Sequence, residues 1–361
     1  MKLPETNLVP AMQKPCLAAL FFAALAAAAA SQSPGFDCAK ATTPQEKAIC
    51  ASPELSKADA EMTAAYRAWL AAAPPDSKDA ILQSQRAWLQ TRLSLCKQGA
   101  KPEDLTQCLL ETSKARANEL KGMVQRRNGI QFVSSAIYFT APDSPEIAQI
   151  MKGINGRDSG YVNVTWPQAI SSAPEWLAWN KAIAAAASAG PGPTGGALSR
   201  KDAVDNDTDA TVTLTYVSDR LVSATISGMI YGHGAAHPNH GVTQFNWMLK
   251  EQRPLKPEDV FNPQSNWRGD LYNRTNQYLH KALDDSGQSY ESFGNPEDMK
   301  RTVHALAADP TRWQIDHKGI TIVFNPYEVA CYACTPPPFT MPWESLKPLL
   351  NPAFQIPTPS H

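Results

Sequence analysis

The sequence contains no G-x-S-x-G elbow, no H-E-x-x-H helix and no Walker phosphate loop, the short motifs that mark many hydrolases and nucleotide-binding proteins. Helical repeats and low-complexity arrays are also missing, so a solenoid is excluded. No apolar stretch beyond residue 30 approaches the roughly twenty residues needed to cross a bilayer. Charge of one sign is not in excess overall, with 33 Lys+Arg against 34 Asp+Glu, but its distribution is uneven. From Asp37 to Arg127 there are 14 basic and 11 acidic residues, net +3; from Asn128 onward there are 17 and 22, net −5. The larger part is acidic, which disfavours nucleic acid and favours a basic partner.

What is present begins with an export signal. Lys2 and Lys14 precede an uninterrupted apolar run from Cys16 to Ala30, followed by Ser31-Gln32-Ser33-Pro34. This layout predicts a signal peptide over residues 1–30 with cleavage near Ala30. Met12 offers an alternative start that would bring Lys14 close to the apolar run. A membrane anchor would need about five more apolar residues than the run supplies. Phe36-Asp37 before Cys38 does not form a lipobox, so no lipid anchor is expected. Cleavage would leave six cysteines, Cys38, Cys50, Cys96, Cys108, Cys331 and Cys334, an even number suited to structural disulfides in a periplasmic or secreted protein.

Residues 36–127 read as helices. Thr43-Pro44-Gln45-Glu46 is a capping box with Pro at the first helical position, so a short helix should run to about Cys50. Ser52-Pro53 opens a second helix, with Leu55, Met62, Tyr66, Trp69 and Leu70 at helical spacing, and Pro74-Pro75 ends it. A third carries Ile81, Leu82, Gln85, Trp88, Leu89 and Leu95 along one side, and a fourth carries Leu105, Leu109, Leu110, Leu120 and Val124. An antiparallel helical bundle is expected. Cys38 and Cys50 bracket the first helix, and Cys96 and Cys108 bracket the last turn, which favours local pairing. The same geometry places all four near one end, so exchange of partners stays open.

After Asn128-Gly129 the pattern changes. Residues 130–139, 210–217, 221–230, 242–249, 313–315 and 320–324 read as strands, while 174–187, 267–283 and 297–307 read as helices. The whole chain is therefore expected to be α+β: a disulfide-braced antiparallel helical bundle, then an α+β domain over 130–350 with an antiparallel sheet and flanking helices. The glycine- and proline-rich run 190–196 marks a long loop or boundary, and a further subdivision could fall there or near 250.

Several clusters carry chemical interest. Tyr231, His233, His237, Asn239 and His240 lie in a glycine-rich segment between two expected strands. Three imidazoles in eight residues could ligate a metal, but no acidic or cysteine ligand is near in sequence, so a protein-contact loop or a shaped turn is favoured and no metal or cofactor is expected. Asp205-Asn206-Asp207-Thr208-Asp209 imitates a calcium loop, yet Ala210 replaces the required glycine and Tyr216 the required glutamate; a capped turn before the strand at 210 is expected. Cys331-Tyr332-Ala333-Cys334 is followed by prolines and not by a helix, so it reads as a disulfide clamping a bend. Trp176, Trp179, Trp247, Trp267, Trp313 and Trp343 fall inside expected elements and read as core.

Two resemblances give these features a context. Phe36 to Cys50, Pro53-Glu54-Leu55 with Asp59, and Gln85-Arg86-Ala87-Trp88-Leu89 with Arg92 and Cys96 together resemble the LprI-type lysozyme-inhibitor domain. That resemblance implies an exported protein and a lysozyme partner. The segment from Gly234 to Asn239, Leu255 to Phe261, Gly319 to Ala330, Pro342-Trp343 and Leu346 resembles the extracellular domain of RsiV-type lysozyme-sensing anti-sigma factors; related domains accompany peptidoglycan deacetylases. Cys331 and Cys334 depart from that pattern, where proline and glycine are expected in the bend. Both resemblances imply a non-enzymatic exported protein that binds and inhibits lysozyme, with a cell-envelope protein that binds peptidoglycan or accompanies its modification as the alternative. Tyr231, His233, His237, Asn239 and His240 are the expected partner contacts.

Overall fold

The computed structural model describes residues 33–96, 102–154, 158–190 and 197–359. The expected signal peptide and residues 191–196 of the glycine-proline run lie outside the described residues. Helix α1 (Pro44–Ala51) starts on the expected capping box: Thr43 Oγ1 accepts from the Glu46 N–H, and Glu46 accepts from the Thr43 N–H at 2.9 Å. Helices α2 (Pro53–Ala72), α3 (Lys78–Leu95) and α4 (Pro102–Lys121) complete the bundle. Disulfides join Cys38 to Cys50 and Cys96 to Cys108, the local pairing.

The bundle is stitched by polar groups as well as by its apolar stripes. Gln85 Oε1 accepts from Arg116 Nε and Nη2 at 3.1 and 3.0 Å, and Arg92 Nη1 donates to Ser113 Oγ at 3.1 Å. Both guanidinium groups lie over the Trp88 ring, at 5.3 and 5.2 Å from its centroid. The resemblance-bearing Gln85, Trp88 and Arg92 therefore hold α3 against α4, with Asp59 of α2 lying 3.8 Å from Arg92.

Helix α4 ends at Lys121, three residues before Val124, which was expected to continue it. Val124 instead opens a seven-stranded sheet whose order follows the sequence: β1 (Val124–Arg127), β2 (Ile130–Pro142), β3 (Ser159–Ala169), β4 (Asn206–Val217), β5 (Leu221–Gly232), β6 (Asn239–Met248) and β7 (Arg253–Pro254). Neighbours are antiparallel except β3 and β4. Those two are parallel because the crossover between them carries helix α6 (Pro174–Ser188). Trp176, Trp179, Ile183 and Ala187 of α6 pack on Phe132, Val162, Val164, Val212 and Ile226. Asn180 fixes the helix by bonding both backbone groups of Ala169.

Strand β3 and helix α5 (Pro145–Ile154) were not expected from sequence, and β4 begins at Asn206 and not at 210. The acidic run 206–209 is thus strand and not a capped turn, and only Asp205 turns, at φ 60°. The described residues between 33 and 359 form one compact unit, and the bundle packs on β2 through Trp69, whose indole N–H donates to Ser134 O at 2.6 Å.

Beyond β7 follow α7 (Pro257–Val260), α8 (Trp267–Asp285), α9 (Pro296–Ala308), β8 (Trp313–Ile315), β9 (Gly319–Ile322), β10 (Phe339–Pro342) and α10 (Trp343–Leu346). The last three strands form their own antiparallel sheet, β10-β9-β8. It shares a core with α8 and α9 built on Phe261, Trp267, Leu279, Val303, Trp313 and Ile322. All six tryptophans expected in core are buried.

Candidate functional site: the hairpin rim of the large sheet

Strand pairing gathers several segments at one end of the large sheet. Pro142 at the end of β2 pairs with Ser159 at the start of β3, and Tyr161 pairs with Asp207, which pairs in turn with Tyr231. Ile230 pairs with Asn239, so residues 233–238 form the tip of the β5–β6 hairpin. The glycine-rich composition serves this turn: Gly234 has φ 86°, a conformation in which a side chain would be strained.

The five residues expected to contact a partner separate here. His237, Asn239 and His240 are exposed on the rim, and Tyr231 is half-buried within β5. His233 turns inward. Its ring is buried, with Nδ1 2.9 Å from Asp143 Oδ2 and Nε2 3.2 Å from Asp207 Oδ1. Burial by itself would lower the pKa of this imidazole, but hydrogen bonds to Asp207 and Asp143 and the charges of both carboxylates outweigh it, and the pKa lies above the ordinary value. Asp143 Oδ1 is buried without a hydrogen-bond partner, so His233 is the hydrogen-bonded support of that carboxylate. His233 therefore anchors the tip and is not available as a surface contact.

Asp205 reinforces the anchor. Its carbonyl accepts from the His233 N–H at 2.8 Å, and its carboxylate accepts from the Ser144 N–H at 2.6 Å. The end of β2, the start of β4 and the hairpin tip are thereby tied to one another. Asp143, Asp205 and Asp207 were not foreseen as members of this site, because nothing local in the sequence relates them to a histidine some 90 residues from Asp143.

Two further contributions reach the rim from afar. Helix α5 presents Ile150 and Ile154, 50% and 63% exposed, and Ile150 approaches Gly234. On the other side lies the loop clamped by the Cys331–Cys334 disulfide. Its Tyr332 ring stands 4.3 Å from His237 and 6.4 Å from His240, and Tyr327 is 63% exposed. Residues 231–241 contain no Lys, Arg, Asp or Glu. The rim thus offers imidazole, amide and phenol groups beside exposed isoleucines. Among the described residues, no three His, Cys, Asp or Glu side chains gather as metal ligands.

The architecture is that of an α+β protein with a disulfide-braced helical module ahead of a sheet-rich module. Comparison with known proteins finds a similarity in each part: residues 38–120 match the family model described as lysozyme inhibitor LprI, and residues 258–344 match a protein family of unknown function, DUF3298. An uncharacterized protein of Rhizobium meliloti is 29% identical over 120 residues, covering 27% of this chain and 86% of that relative. Among solved structures, a DUF3298 family member from Bacteroides fragilis has 18% identity and a TM-score of 0.45, covering 63% of this chain and 96% of its own. A second, from Pseudomonas aeruginosa, has 14% identity and a TM-score of 0.37, covering 61% and 94%. Among the described residues, no helix is long and apolar enough to cross a membrane.

Proposed function

We propose that this protein is exported to the periplasm or beyond, acts without catalysis, and binds and inhibits lysozyme through the hairpin rim. The LprI domain at 38–120 is the observation that carries this reading, because that family is described by lysozyme inhibition. The RsiV-type resemblance of the second part supports the same partner. So does charge: animal-type lysozymes are basic, and the net −5 of residues 128–361 would accelerate their encounter by long-range attraction.

Inhibition follows from the chemistry of the target. A glycosidase of this kind works with two carboxyl groups in a cleft. An occluding loop must bring hydrogen-bond donors and avoid carboxylates of its own. The exposed His237, Asn239 and His240 meet both requirements, and the isoleucines of α5 add apolar area beside them. His233, bonded to Asp143 and Asp207, supplies the rigidity that lets the tip bind without first being ordered.

The test is to mix the purified protein with a c-type lysozyme and follow both complex formation and lysis of cell walls. A complex that slows lysis is expected, with association weakening as salt is raised. Retention on insoluble peptidoglycan with no affinity for lysozyme would replace this reading with the cell-envelope alternative.

A further inference from the structure

The loop that carries Cys331 and Cys334 is bonded to the β5–β6 hairpin at two places. A few residues down β6 from the tip, Asn325 lies alongside Val242: its Oδ1 accepts from the Val242 N–H at 2.7 Å, and its Nδ2 donates to Val242 O at 3.1 Å. At the tip, the Tyr332 hydroxyl donates to Pro238 O at 2.9 Å, while its ring packs on the imidazole of His237. Between these anchorages the chain turns through Tyr327, which adopts φ 65°. A bulky side chain is disfavoured there, because Cβ crowds the following carbonyl oxygen.

The surroundings over-determine that turn. Glu328 accepts from the Asn325 N–H at 2.7 Å and from Asn325 Nδ2 at 3.2 Å, and it pairs with Arg312. Arg312 in turn donates to Val242 O at 3.0 Å. The Tyr327 ring gains little burial in return, since it remains largely exposed and lies 5.8 Å from the ring of Tyr332. A conformation that is disfavoured, firmly held and directed at solvent is what a contact residue requires.

The disulfide acts on the same loop. Cys331 and Cys334 are three positions apart, whereas Cys38–Cys50 and Cys96–Cys108 each span twelve. The smaller ring removes less entropy from the unfolded chain. Its main consequence is local, restricting the direction in which Tyr332 leaves the backbone.

We propose that the clamped loop 325–335 is the second half of the contact surface: Tyr332 is the strut that holds residues 234–240 in their binding shape, the Cys331–Cys334 disulfide fixes the strut, and Tyr327 inserts into the partner. The surface fits a protein with a concave, carboxyl-bearing cleft, since it presents rings and donors and little charge. Only the role of Tyr327 rests on the lysozyme reading; the strut is a property of the free protein.

The experiment combines hydrogen exchange on the free full chain with lysozyme affinity. Tyr332→Phe and the paired Cys331→Ser, Cys334→Ser variant are expected to speed exchange across 234–240 about five- to ten-fold, the loss of one hydrogen bond's worth of protection, while the LprI domain exchanges as before. Tyr327→Ala is expected to leave exchange at 234–240 unchanged and weaken the complex at least about ten-fold. Unaltered exchange in both Tyr332→Phe and the cysteine pair variant would overturn the strut, and an unchanged affinity for Tyr327→Ala would overturn its contact role. If the wild type forms no complex, the lysozyme reading and the role of Tyr327 fall together, while the exchange data still decide the strut.

Discussion

A buried imidazole bonded to both Asp143 and Asp207 holds its proton more tightly than a free histidine does. Because the folded pKa is raised, its stabilising contribution is complete below the unfolded value of about 6.5 and is lost as pH rises through the folded pKa. Hydrogen exchange at 233–236 should therefore quicken as pH is taken above neutrality, after correction for the intrinsic rate. His233→Ala should abolish that dependence and cost about 3–5 kcal/mol in denaturant unfolding, since it strips both carboxylates of their shared partner. An identical pH profile in the variant would contradict this role. The sequence showed three histidines and a glycine-rich turn, but it could not show which would face inward. That choice depends on Asp143 and Asp207, which reach the histidine only through strand pairing.

Elements were legible where their determinants are local. The α1 capping box, the prolines that open α2 and α6, and the hairpin around 233–238 all follow from residues within a few positions of one another. Strand β3 and helix α5 were missed although their periods are present: Val162, Val164 and Trp166 alternate with Tyr161, Asn163 and Thr165, and Ile147, Ile150, Met151 and Ile154 recur at helical spacing. The acidic run 205–209 has calcium-loop-like spacing, but pairing with β3 and β5 draws residues from Asn206 onward into a strand. At this scale the contact between bundle and sheet is testable. Trp69→Phe removes the donor to Ser134 O and leaves a buried carbonyl unpaired, so a loss of about 1–3 kcal/mol is expected in thermal or denaturant unfolding. Because the bundle and sheet share this packing, a single cooperative transition is expected to move as a whole; a shift confined to a separate bundle transition would contradict that view.

For the whole molecule, the α+β class and the LprI resemblance were legible in the sequence, whereas the assembly of the rim was not. Four distant segments compose that rim: α5, Asp205 to Asp207, the hairpin tip and the loop around Tyr332. Their sequence separations make it a product of topology. The helical bundle, which matches the LprI family model, packs on β2 through Trp69, while the exposed donor-rich groups gather at the sheet end. The measurement that tests this account most directly is titration of c-type lysozyme into the full chain, with wild type compared against a His237→Ala, His240→Ala double variant. The account predicts a wild-type complex that inhibits lysis and an affinity at least about ten-fold weaker in the variant. Absence of any complex at low ionic strength, or equal affinity in both proteins, would contradict it.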